Sequence, residues 1–517
     1  MGGITVAEIQ HILQEENLLR EVVSPAGWTF SLTDQAILAQ TFDQLDYHSG
    51  RLDGPSIFIC KGAAFKEEYL HQAIENGAQY YISEVDYPAA QAVGFIVSDE
   101  RRAMASVARK FYNCPDEKLY MIGITGTKGK TTVNYFLHHI LQAAFPQEVG
   151  YLSTIDYTLD GKTRNASQLT TPESVDLYRM LAQAVANGIK YMVMEVSSQA
   201  YKLDRVYGLF FDRGLFLNFT PDHIGPLEHP SMEDYFYCKR QLLHHARHIL
   251  LHDDLPHQQL LIEEAHAFGA DVSIYGTLST SDYVVELLAN KKDTFTLYNK
   301  STHMHQTFHC PLPGDFNMEN AAAAIIVAQQ LHIDDALIKE ALVDVVVPGR
   351  MMEYHLPNGV PVYIDYAHNY DSLRRLLDYV SEQHQDRQVH LLLGATGDKG
   401  KSRRIGFAEA LSGRDISVCF TADDPGTESP RAIANEILAH LEMLGTPLSD
   451  YDFIEDRAQA VQTLLEEAAP SDVIILAGKG IDQSQIIGKA HVDYPGDFKL
   501  VERFILNEEN KNKGEML

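Results

Sequence analysis

The chain of 517 residues is too long for one compact domain, and roughly 150 residues per domain predicts three or four domains. Hydrophobic residues make up 45% of it and charged residues 22%, which excludes a disordered or fibrous protein and allows full-sized cores. Lys and Arg number 42 and Asp and Glu 71, so the formal net charge at pH 7 is −29. This charge argues against nucleic acid or an anionic membrane as the main partner, because both bind basic surfaces.

The cysteines and the N-terminus predict a cytoplasmic protein. The five cysteines are scattered, odd in number and without a CxxC pair, which argues against a disulfide scaffold or a zinc site. The N-terminal segment predicts an amphipathic helix without an apolar signal core, and no run reaches the length of a membrane span. Helix N-termini, a few Lys or Arg side chains and metal ions would have to hold any phosphate-bearing ligand.

The first domain is predicted to span residues 1–117. Apolar runs at 57–62 and 80–84 predict buried strands, and the segment 66–77 between them predicts a helix. The polar segment 111–118 is typical of a linker, so we expect a domain boundary there.

Two further α/β domains are predicted, at 118–346 and 347–517, with Pro and Gly interrupting the chain at 345–350. In each, apolar strands alternate with helical patterns, which indicates parallel sheets covered by helices. The predicted strands are 119–125, 191–196 and 214–219 in the central domain and 362–367, 389–395, 416–424 and 473–480 in the last. The final segment, 507–517, is predicted to be a frayed tail.

Two similar Gly-Lys loops, 125–131 and 396–402, each follow an apolar strand. Neither has the first glycine of the strict phosphate-loop motif, so the pattern alone does not choose between them. Asp398 places a carboxylate in the second loop, where it would repel phosphate, whereas Thr127 at the matching position is neutral. We therefore assign ATP phosphates to the first loop; the alternative is a Gly-rich turn with surface lysines.

The first loop and two later strand ends predict a Mg²⁺ site. Lys130 is expected to contact the β- and γ-phosphates, and the hydroxyl of Thr131 to bind Mg²⁺. Glu195 ends a predicted strand and is a candidate second ligand, because a buried acid is costly unless it binds a cation. A strand-end acid that caps a helix is the alternative. His223 follows the next strand, and from the residues alone a lone histidine is more often structural.

Lys239 lies among aromatic residues on a predicted helix. An apolar setting lowers the pKa of a lysine, and a neutral amine can take up CO₂ to form an anionic carbamate. A lysine that extends its ammonium group to water explains the same residues equally well.

Together these segments resemble the Mur ligases, specifically the UDP-N-acetylmuramoyl-tripeptide synthetases, over nearly the whole chain. Their order and spacing carry the resemblance; the segments are 123–132, 170–174, 194–206, 218–243, 314–324, 347–355, 365–373, 421–430 and 477–483. It implies an N-terminal α/β domain that binds the uridine nucleotide, a central parallel-sheet domain with a phosphate loop that binds ATP, and a C-terminal Rossmann-like domain that binds an amino acid.

The resemblance also implies a set of site residues, with Lys239 as the carbamylated lysine. The candidate catalytic residues are Lys130, Glu195, His223 and Lys239, and the candidate metal ligands are Thr131, Glu195 and His223. The candidate ATP-binding residues are Gly126, Thr127, Lys128, Gly129, Lys130, Thr131, Thr132, Asn317, Asn320, Arg350, Asp365 and His368. Those for the UDP-muramoyl-dipeptide are Ser49, Thr170, Thr171, Ser197, Arg205 and Lys239.

The amino acid implied is L-lysine rather than meso-diaminopimelate. In relatives that add diaminopimelate, an Arg follows the Asp-Asn-Pro of one loop, whereas this loop reads Asp-Asp-Pro-Gly and ends at Gly426. A carboxylate-binding fork is therefore missing, and the acidic surroundings suit an ammonium group. The alternative is that Gly426 only shapes a turn. The candidate amino-acid-binding residues are Arg403, Asp423, Asp424, Glu428, Gly478 and Asp482, with Arg403 or Arg404 on the α-carboxylate.

The implied reaction is the ATP- and Mg²⁺-dependent addition of L-lysine to UDP-N-acetylmuramoyl-L-alanyl-D-glutamate, by a monomer without nucleic-acid or membrane partners. Alternatives are the same reaction with L-ornithine or diaminopimelate, a folylpolyglutamate synthetase, and a nucleotide-hydrolysing switch. A folylpolyglutamate synthetase would not need the first domain, and a switch would not need the third. The intact candidate catalytic residues argue against a relative without activity.

Overall fold

Three sheets organise the chain in a computed structural model that describes residues 2–25, 27–225, 228–288, 293–398 and 400–514. The N-terminal sheet has six strands, the central sheet eleven and the C-terminal sheet six. Helices pack on all three, so the predicted α/β class is confirmed. Within the described residues no helix is long and apolar enough to cross a membrane.

The N-terminal sheet mixes parallel and antiparallel pairs. In order across the sheet its strands are Gly27–Thr29, Leu19–Ser24, Val93–Val97, Ala78–Ser83, Ser56–Ile59 and Leu45–Asp46. The last four are parallel to one another, and Leu19–Ser24 is antiparallel to both of its neighbours. The helices are Val6–Glu15, Gln35–Leu38, Glu67–Glu75 and Glu100–Phe111, and a short pair joins Ile4–Thr5 to Thr41–Phe42.

The predicted linker at 111–118 is a structured connection. A helix ends at Phe111, and a single 3₁₀ turn follows at Pro115–Lys118. Asp116 in this turn is buried, and the guanidinium of Arg109 donates two hydrogen bonds to its Oδ2, at 3.0 and 3.1 Å. A buried, paired carboxylate fixes the connection, because separating the pair would leave a charge without a partner.

The central sheet is parallel over its middle strands and antiparallel at both edges. In order its strands are Asn165–Ala166, Asp156–Thr158, Val149–Leu152, Tyr191–Glu195, Tyr120–Thr125, Phe211–Phe216, Ala246–His252, Asp271–Gly276, Tyr283–Leu287, Thr294–Asn299 and Met304–His309. The helices are Lys130–Ala144, Ser174–Ala186, Ser198–Lys202, Met232–Arg240, Gln258–Ala267, Asp315–Gln330 and Asp335–Val343.

The C-terminal sheet is parallel except for its first edge strand. In order its strands are Met352–His355, Pro361–Asp365, Asp472–Ala477, Gln388–Leu393, Ser417–Phe420 and Tyr451–Phe453, with a separate hairpin of Ser484–Ile487 and Ala490–Asp493. The helices are Tyr370–Gln383, Lys401–Leu411, Pro430–Met443, Arg457–Glu467 and Asp497–Gly514.

The prediction of a frayed tail from residue 507 is wrong for the described part of that segment. The last helix continues to Gly514, because its first turns are fixed to the domain core. Val501 is fully buried, and Asp497 forms a buried ion pair with Arg457, Oδ2 to Nη2, at 2.7 Å. A helix started by such contacts extends through polar residues that would not form one alone.

Continuous apolar packing joins the central domain to both neighbours. One cluster of buried side chains runs from Ile124 in the central sheet through Ile325 to Phe407 in the C-terminal domain. A second includes Phe95 of the N-terminal domain and Met194 of the central sheet. Burial of apolar surface thus stabilises the arrangement of the domains as well as each core.

The buried His138 gives a testable pH dependence of stability. It is 7% exposed on the helix Lys130–Ala144, packs edge-on against Tyr151 at 4.6 Å, and neither ring nitrogen has a partner within the described residues. Burial lowers the pKa of His138 to about 3, while a histidine in the unfolded chain has a pKa of about 6.5. Below pH 6.5 the unfolded chain therefore binds a proton that the folded protein excludes.

We expect His138 to cost the folded state about 2 kcal/mol of stability between pH 7 and pH 5. Urea unfolding of the central domain at several pH values should show this loss in the wild type. The His138→Phe variant should lose less stability over the same interval, because it has no group to titrate. Parallel curves for the two proteins would contradict the prediction.

Candidate active site

Three neighbouring parallel strands bring the candidate catalytic residues to one edge of the central sheet. Tyr120–Thr125 lies between Tyr191–Glu195 and Phe211–Phe216. The first strand runs into the Gly-Lys loop, the second ends at Glu195, and the third leads to the loop of His223. The carboxyl edge of a parallel sheet is where α/β proteins bind ligands.

Two glycines shape the first Gly-Lys loop. Gly126 has φ 151° and Gly129 has φ 83°, both in the region that favours glycine. A Cβ atom on Gly129 would lie 2.4 Å from Oδ1 of Asn320, so the loop packs directly on the helix Asp315–Gln330. Asn218 holds the loop from the other side, since its Oδ1 accepts from the backbone N–H of Lys128 at 2.8 Å.

Two lysines, the half-buried Lys130 and the buried Lys239, converge on the carbonyl oxygen of Gly126. Nζ of Lys130 donates to it at 2.8 Å and Nζ of Lys239 at 2.7 Å. Lys239 is 1% exposed and lies over the ring of Tyr235 at 4.7 Å. Burial, and then the neighbouring Lys130, hold the pKa of Lys239 well below its ordinary value, and burial also lowers the pKa of Lys130. Lys130 and the N–H groups at the start of the helix make a positive spot, which suits phosphate groups.

Glu195 and Thr131 offer the hard oxygen atoms that Mg²⁺ prefers. Glu195 is fully buried, and its two oxygens accept from the N–H and the hydroxyl of Thr154, both at 2.9 Å. Each oxygen keeps a lone pair, so the carboxylate fits a cation ligand. Nδ1 of His223 lies 2.8 Å from Oε1 of Glu228, which orients the ring and leaves Nε2 for a metal. These donors fit the divalent cation that the sequence predicts.

Four of the candidate dipeptide-binding residues lie together beside Glu195. The hydroxyl of Thr171 donates to the carbonyl of Glu195 at 2.9 Å and accepts from the N–H of Ser197 at 3.1 Å. Nη1 of Arg205 donates to the carbonyl of Thr171 at 3.3 Å, and the hydroxyl of Thr170 lies 3.1 Å from that of Thr154. This group extends the site toward the N-terminal domain.

Ser49 lies apart from that group, within the N-terminal domain. Its hydroxyl donates to Oε1 of Gln72 at 2.8 Å, and the residue is 7% exposed. The adjoining turn reaches the central domain through Arg51, whose Nη1 lies 3.2 Å from Oδ1 of Asp176. The structure thus separates the candidate uridine end from the candidate dipeptide end.

The C-terminal domain brings His368 to the phosphate loop, with its Nε2 3.2 Å from Nζ of Lys128. Asp365 is buried and accepts from the N–H of Met351 at 2.9 Å, while the Arg350 guanidinium lies over the Tyr366 ring. Asn317 and Asn320 lie on the helix behind the loop, and Nδ2 of Asn317 donates to the carbonyl of Pro313 at 2.7 Å. The candidate nucleotide residues therefore surround one region.

The candidate amino-acid-binding acids differ in whether a cation already holds them. Oδ1 of Asp424 accepts from Nζ of Lys479 at 2.6 Å, and Glu428 binds the guanidinium of Arg404 through two hydrogen bonds of 2.9 Å. Asp482 accepts a hydrogen bond from the hydroxyl of Tyr366 at 2.8 Å rather than from a cation. Burial raises the pKa of Asp423 and of Asp482, as expected for carboxyl groups removed from water.

Arg403 and Arg404 are the two candidates for binding the α-carboxylate of the amino acid. Both already bind carboxylates of the protein. Arg404 is fully buried between Glu428 and Glu436, so it is unavailable to an amino acid. Nη2 of Arg403 donates to Oδ1 of Asp222 at 3.1 Å. Sequence reasoning assigned no role to Asp222, although its position after a central strand was the signal that could have found it.

Family models match two segments of this chain, and named relatives match nearly all of it. The model of the Mur ligase middle domain matches residues 124–328, and that of the Mur ligase glutamate ligase domain matches residues 349–480. A protein of Enterococcus faecalis named UDP-N-acetylmuramoyl-L-alanyl-D-glutamate–L-lysine ligase is 42% identical over 98% of this chain and 100% of its own. The chain belongs to the Mur ligase family. A relative of the same name from Streptococcus mutans is 40% identical to this Mur ligase over 97% of the chain and 100% of its own.

Solved structures share the fold of this Mur ligase. A UDP-N-acetylmuramoyl-L-alanyl-D-glutamate–2,6-diaminopimelate ligase has a TM-score of 0.65 at 23% identity and covers 98% of this chain and 100% of its own. A folylpolyglutamate synthase of Mycobacterium tuberculosis, complexed with ADP and AMPPCP, has a TM-score of 0.58 at 16% identity and covers 72% and 91%. The smaller coverage of the synthase agrees with the expectation that it lacks one domain.

The contrast between the two Gly-Lys loops gives a test of the phosphate assignment. Lys130 is half-buried at the positive spot, whereas Lys401 is exposed and Asp398 of its loop accepts from the N–H of Thr427 at 2.8 Å. We expect Lys130→Ala to lower ATP-dependent phosphate release by about 100-fold or more, because it removes a charge-assisted contact to the transferring group. Lys401→Ala should cost less. A larger loss from Lys401→Ala would reverse the assignment.

Proposed function

We propose that this Mur ligase uses ATP to join L-lysine to the D-glutamate γ-carboxylate of UDP-N-acetylmuramoyl-L-alanyl-D-glutamate, in the cytoplasm and as a monomer. Relatives named for this reaction are about 40% identical along the whole chain, which supports the substrates. The observation that carries the proposal is the meeting of two lysines, a buried carboxylate and the candidate dipeptide-binding residues at one sheet edge. The proposed domains are 1–117 for UDP, 118–346 for ATP and 347–517 for the amino acid.

The chemistry requires a carboxylate to become reactive. A carboxylate repels nucleophiles and its oxygen leaves poorly, so transfer of the ATP γ-phosphoryl group to the γ-carboxylate first gives an acyl phosphate. Lys130 offsets the charge on the transferring group, and the loop N–H groups orient it. A bound Mg²⁺ would neutralise phosphate charge, and Thr131, Glu195 and His223 would hold it. The amine of lysine then attacks the acyl carbon and phosphate leaves.

The C-terminal pocket favours an ammonium group. Lys479 is the cation that contacts Asp424, and it lies 3.6 Å from Asp423, while Asp482 is also close enough to influence the pocket. Arg457 also acts on Asp423 and pairs with Asp497, so four acids face two cations and leave a negative balance. A second carboxylate at the far end of diaminopimelate would enter this pocket without a cation to receive it.

Backbone geometry also explains the missing arginine at position 426. Gly426 has φ 57°, and a Cβ atom there would lie 2.1 Å from Oδ2 of Asp398. Any side chain at position 426 would be strained, so Gly426 is needed to shape the turn. Replacing Gly426 by Arg would therefore disturb the loop as well as change the charge, and substrate competition in the wild type is the cleaner test of selectivity.

The test of function is phosphate release from ATP with UDP-N-acetylmuramoyl-L-alanyl-D-glutamate and single amino acids. We expect L-lysine to be preferred over L-ornithine by about 10-fold or more, because one methylene group is worth ~1–3 kcal/mol in a pocket. Diaminopimelate should be poorer, owing to its unpaired carboxylate. Preferred use of diaminopimelate would overturn the choice of amino acid. Turnover without any amino acid would instead support a nucleotide-hydrolysing switch.

We further propose that Lys239 is carbamylated. Its lowered pKa and dry surroundings favour the neutral amine that adds CO₂. Lys239→Ala should be nearly inactive and partly restored by a small carboxylate such as acetate, which replaces the lost anion. The matched control Lys190→Ala removes a surface lysine paired with Glu148 and should keep full activity. After the protein has been equilibrated with ¹³C-bicarbonate, a carbamate signal should be present in the wild type and absent from Lys239→Ala. Absence of this signal from the wild type would count against the modification.

A further inference from the structure

One buried carboxylate, that of Asp222, joins the phosphate loop to the C-terminal domain. Its Oδ2 accepts from Nζ of Lys128 at 3.0 Å and from Nδ2 of Asn369 at 3.0 Å, and its Oδ1 accepts from Nη2 of Arg403 at 3.1 Å. Asp222 is 5% exposed. Lys128 belongs to the central domain, while Asn369 and Arg403 belong to the C-terminal domain.

The charges at this point depend on Asp222. Lys128 also lies 3.2 Å from Nε2 of His368, so one cation faces the C-terminal domain while Arg403 faces the central domain. Without the carboxylate, Lys128 and Arg403 would repel each other across the domain contact. Removing one partner from a buried charge group is strongly unfavourable, because the remaining charges lose both attraction and water.

Asp222 accepts hydrogen bonds from residues at the starts of two helices. Asn369 caps the helix Tyr370–Gln383 with its Oδ1, which accepts from the N–H of Ser372, and donates to Asp222 with its Nδ2. Arg403 lies in the first turn of the helix Lys401–Leu411. The positive N-terminal ends of helices favour a nearby carboxylate, so the contact holds rigid elements rather than loose loops.

We propose that Asp222 is a positioning residue that latches the C-terminal domain to the phosphate loop, and that Arg403 acts through Asp222 rather than by binding the amino-acid carboxylate. The inference rests on the proposed function, in which the amine must reach an acyl phosphate formed on another domain. Through this latch, the domain that binds the amino acid is held next to the loop at which phosphate is transferred.

A double-mutant cycle separates the two roles of Arg403. The measurement is kcat/KM for L-lysine in phosphate release, for Arg403→Ala alone and combined with Asp222→Asn. The latch predicts a loss of about tenfold or more from Arg403→Ala alone and less than about twofold when Asp222 is already neutral. An equal loss in both backgrounds would overturn the proposal, because Arg403 would then act independently of Asp222.

A second substrate sharpens the same test. L-lysinamide keeps the reacting amine and lacks the α-carboxylate. If Arg403 is part of the latch, Arg403→Ala should lower kcat/KM for L-lysine and for L-lysinamide by the same factor. A loss confined to L-lysine would assign the arginine to the carboxylate and reject the latch. The matched control Asp378→Asn breaks ion pairs with Arg374 and Arg414 inside the C-terminal domain and should change neither substrate.

Small-angle scattering tests the latch without any amino acid. In the presence of ATP and Mg²⁺, Arg403→Ala and Asp222→Asn should each increase the radius of gyration relative to the wild type, while Asp378→Asn should not. An unchanged radius for Arg403→Ala would overturn the latch, even if Asp222→Asn does not fold. If the wild type instead prefers another amino acid, the proposed substrate fails while the scattering result still decides the latch.

Discussion

Two lysine side chains, those of the half-buried Lys130 and the buried Lys239, share one backbone carbonyl oxygen, that of Gly126, and the candidate active site is arranged around this contact. The chain carries a net charge of −29, so it has no general attraction for phosphate, and positive charge must be placed locally. Burying Lys130 and Lys239 is costly, which their lowered pKa values reflect. Gly126 and Gly129 permit the tight turn that brings this charge to a helix start.

Bringing two anionic substrates together also requires the domains to be held in place. Apolar side chains pack across the contact between the central and C-terminal domains, but apolar packing has little directional preference. The hydrogen bonds of Asp222 to Asn369 and Arg403 do have direction. The combination explains how one domain can be both tightly packed and precisely oriented toward the phosphate loop.

The amino-acid pocket illustrates why composition is a poor guide to local charge. The sequence places Asp423, Asp424 and Glu428 near one another, yet Lys479 and Arg404 neutralise Asp424 and Glu428. The acids that carry the remaining negative balance are the buried Asp423 and the exposed Asp482, and the raised pKa of each shows that its surroundings disfavour the charged form. An ammonium group from the substrate would relieve that cost, which links the fold of the loop to the choice of amino acid.

The sequence by itself determined the α/β class and the central strands, because these follow from contiguous residues; the choice of phosphate loop stays a prediction. The predicted strand 119–125 is observed as Tyr120–Thr125, since an apolar run bounded by a Gly-Lys loop leaves little freedom. Only the tertiary structure decided the partners of the charged side chains. Arg403 binds Asp222, which lies 181 positions away in the sequence. The last helix is fixed by the ion pair between Asp497 and Arg457. Local patterns contain no information on such pairs, whose energy arises only when distant segments are buried together.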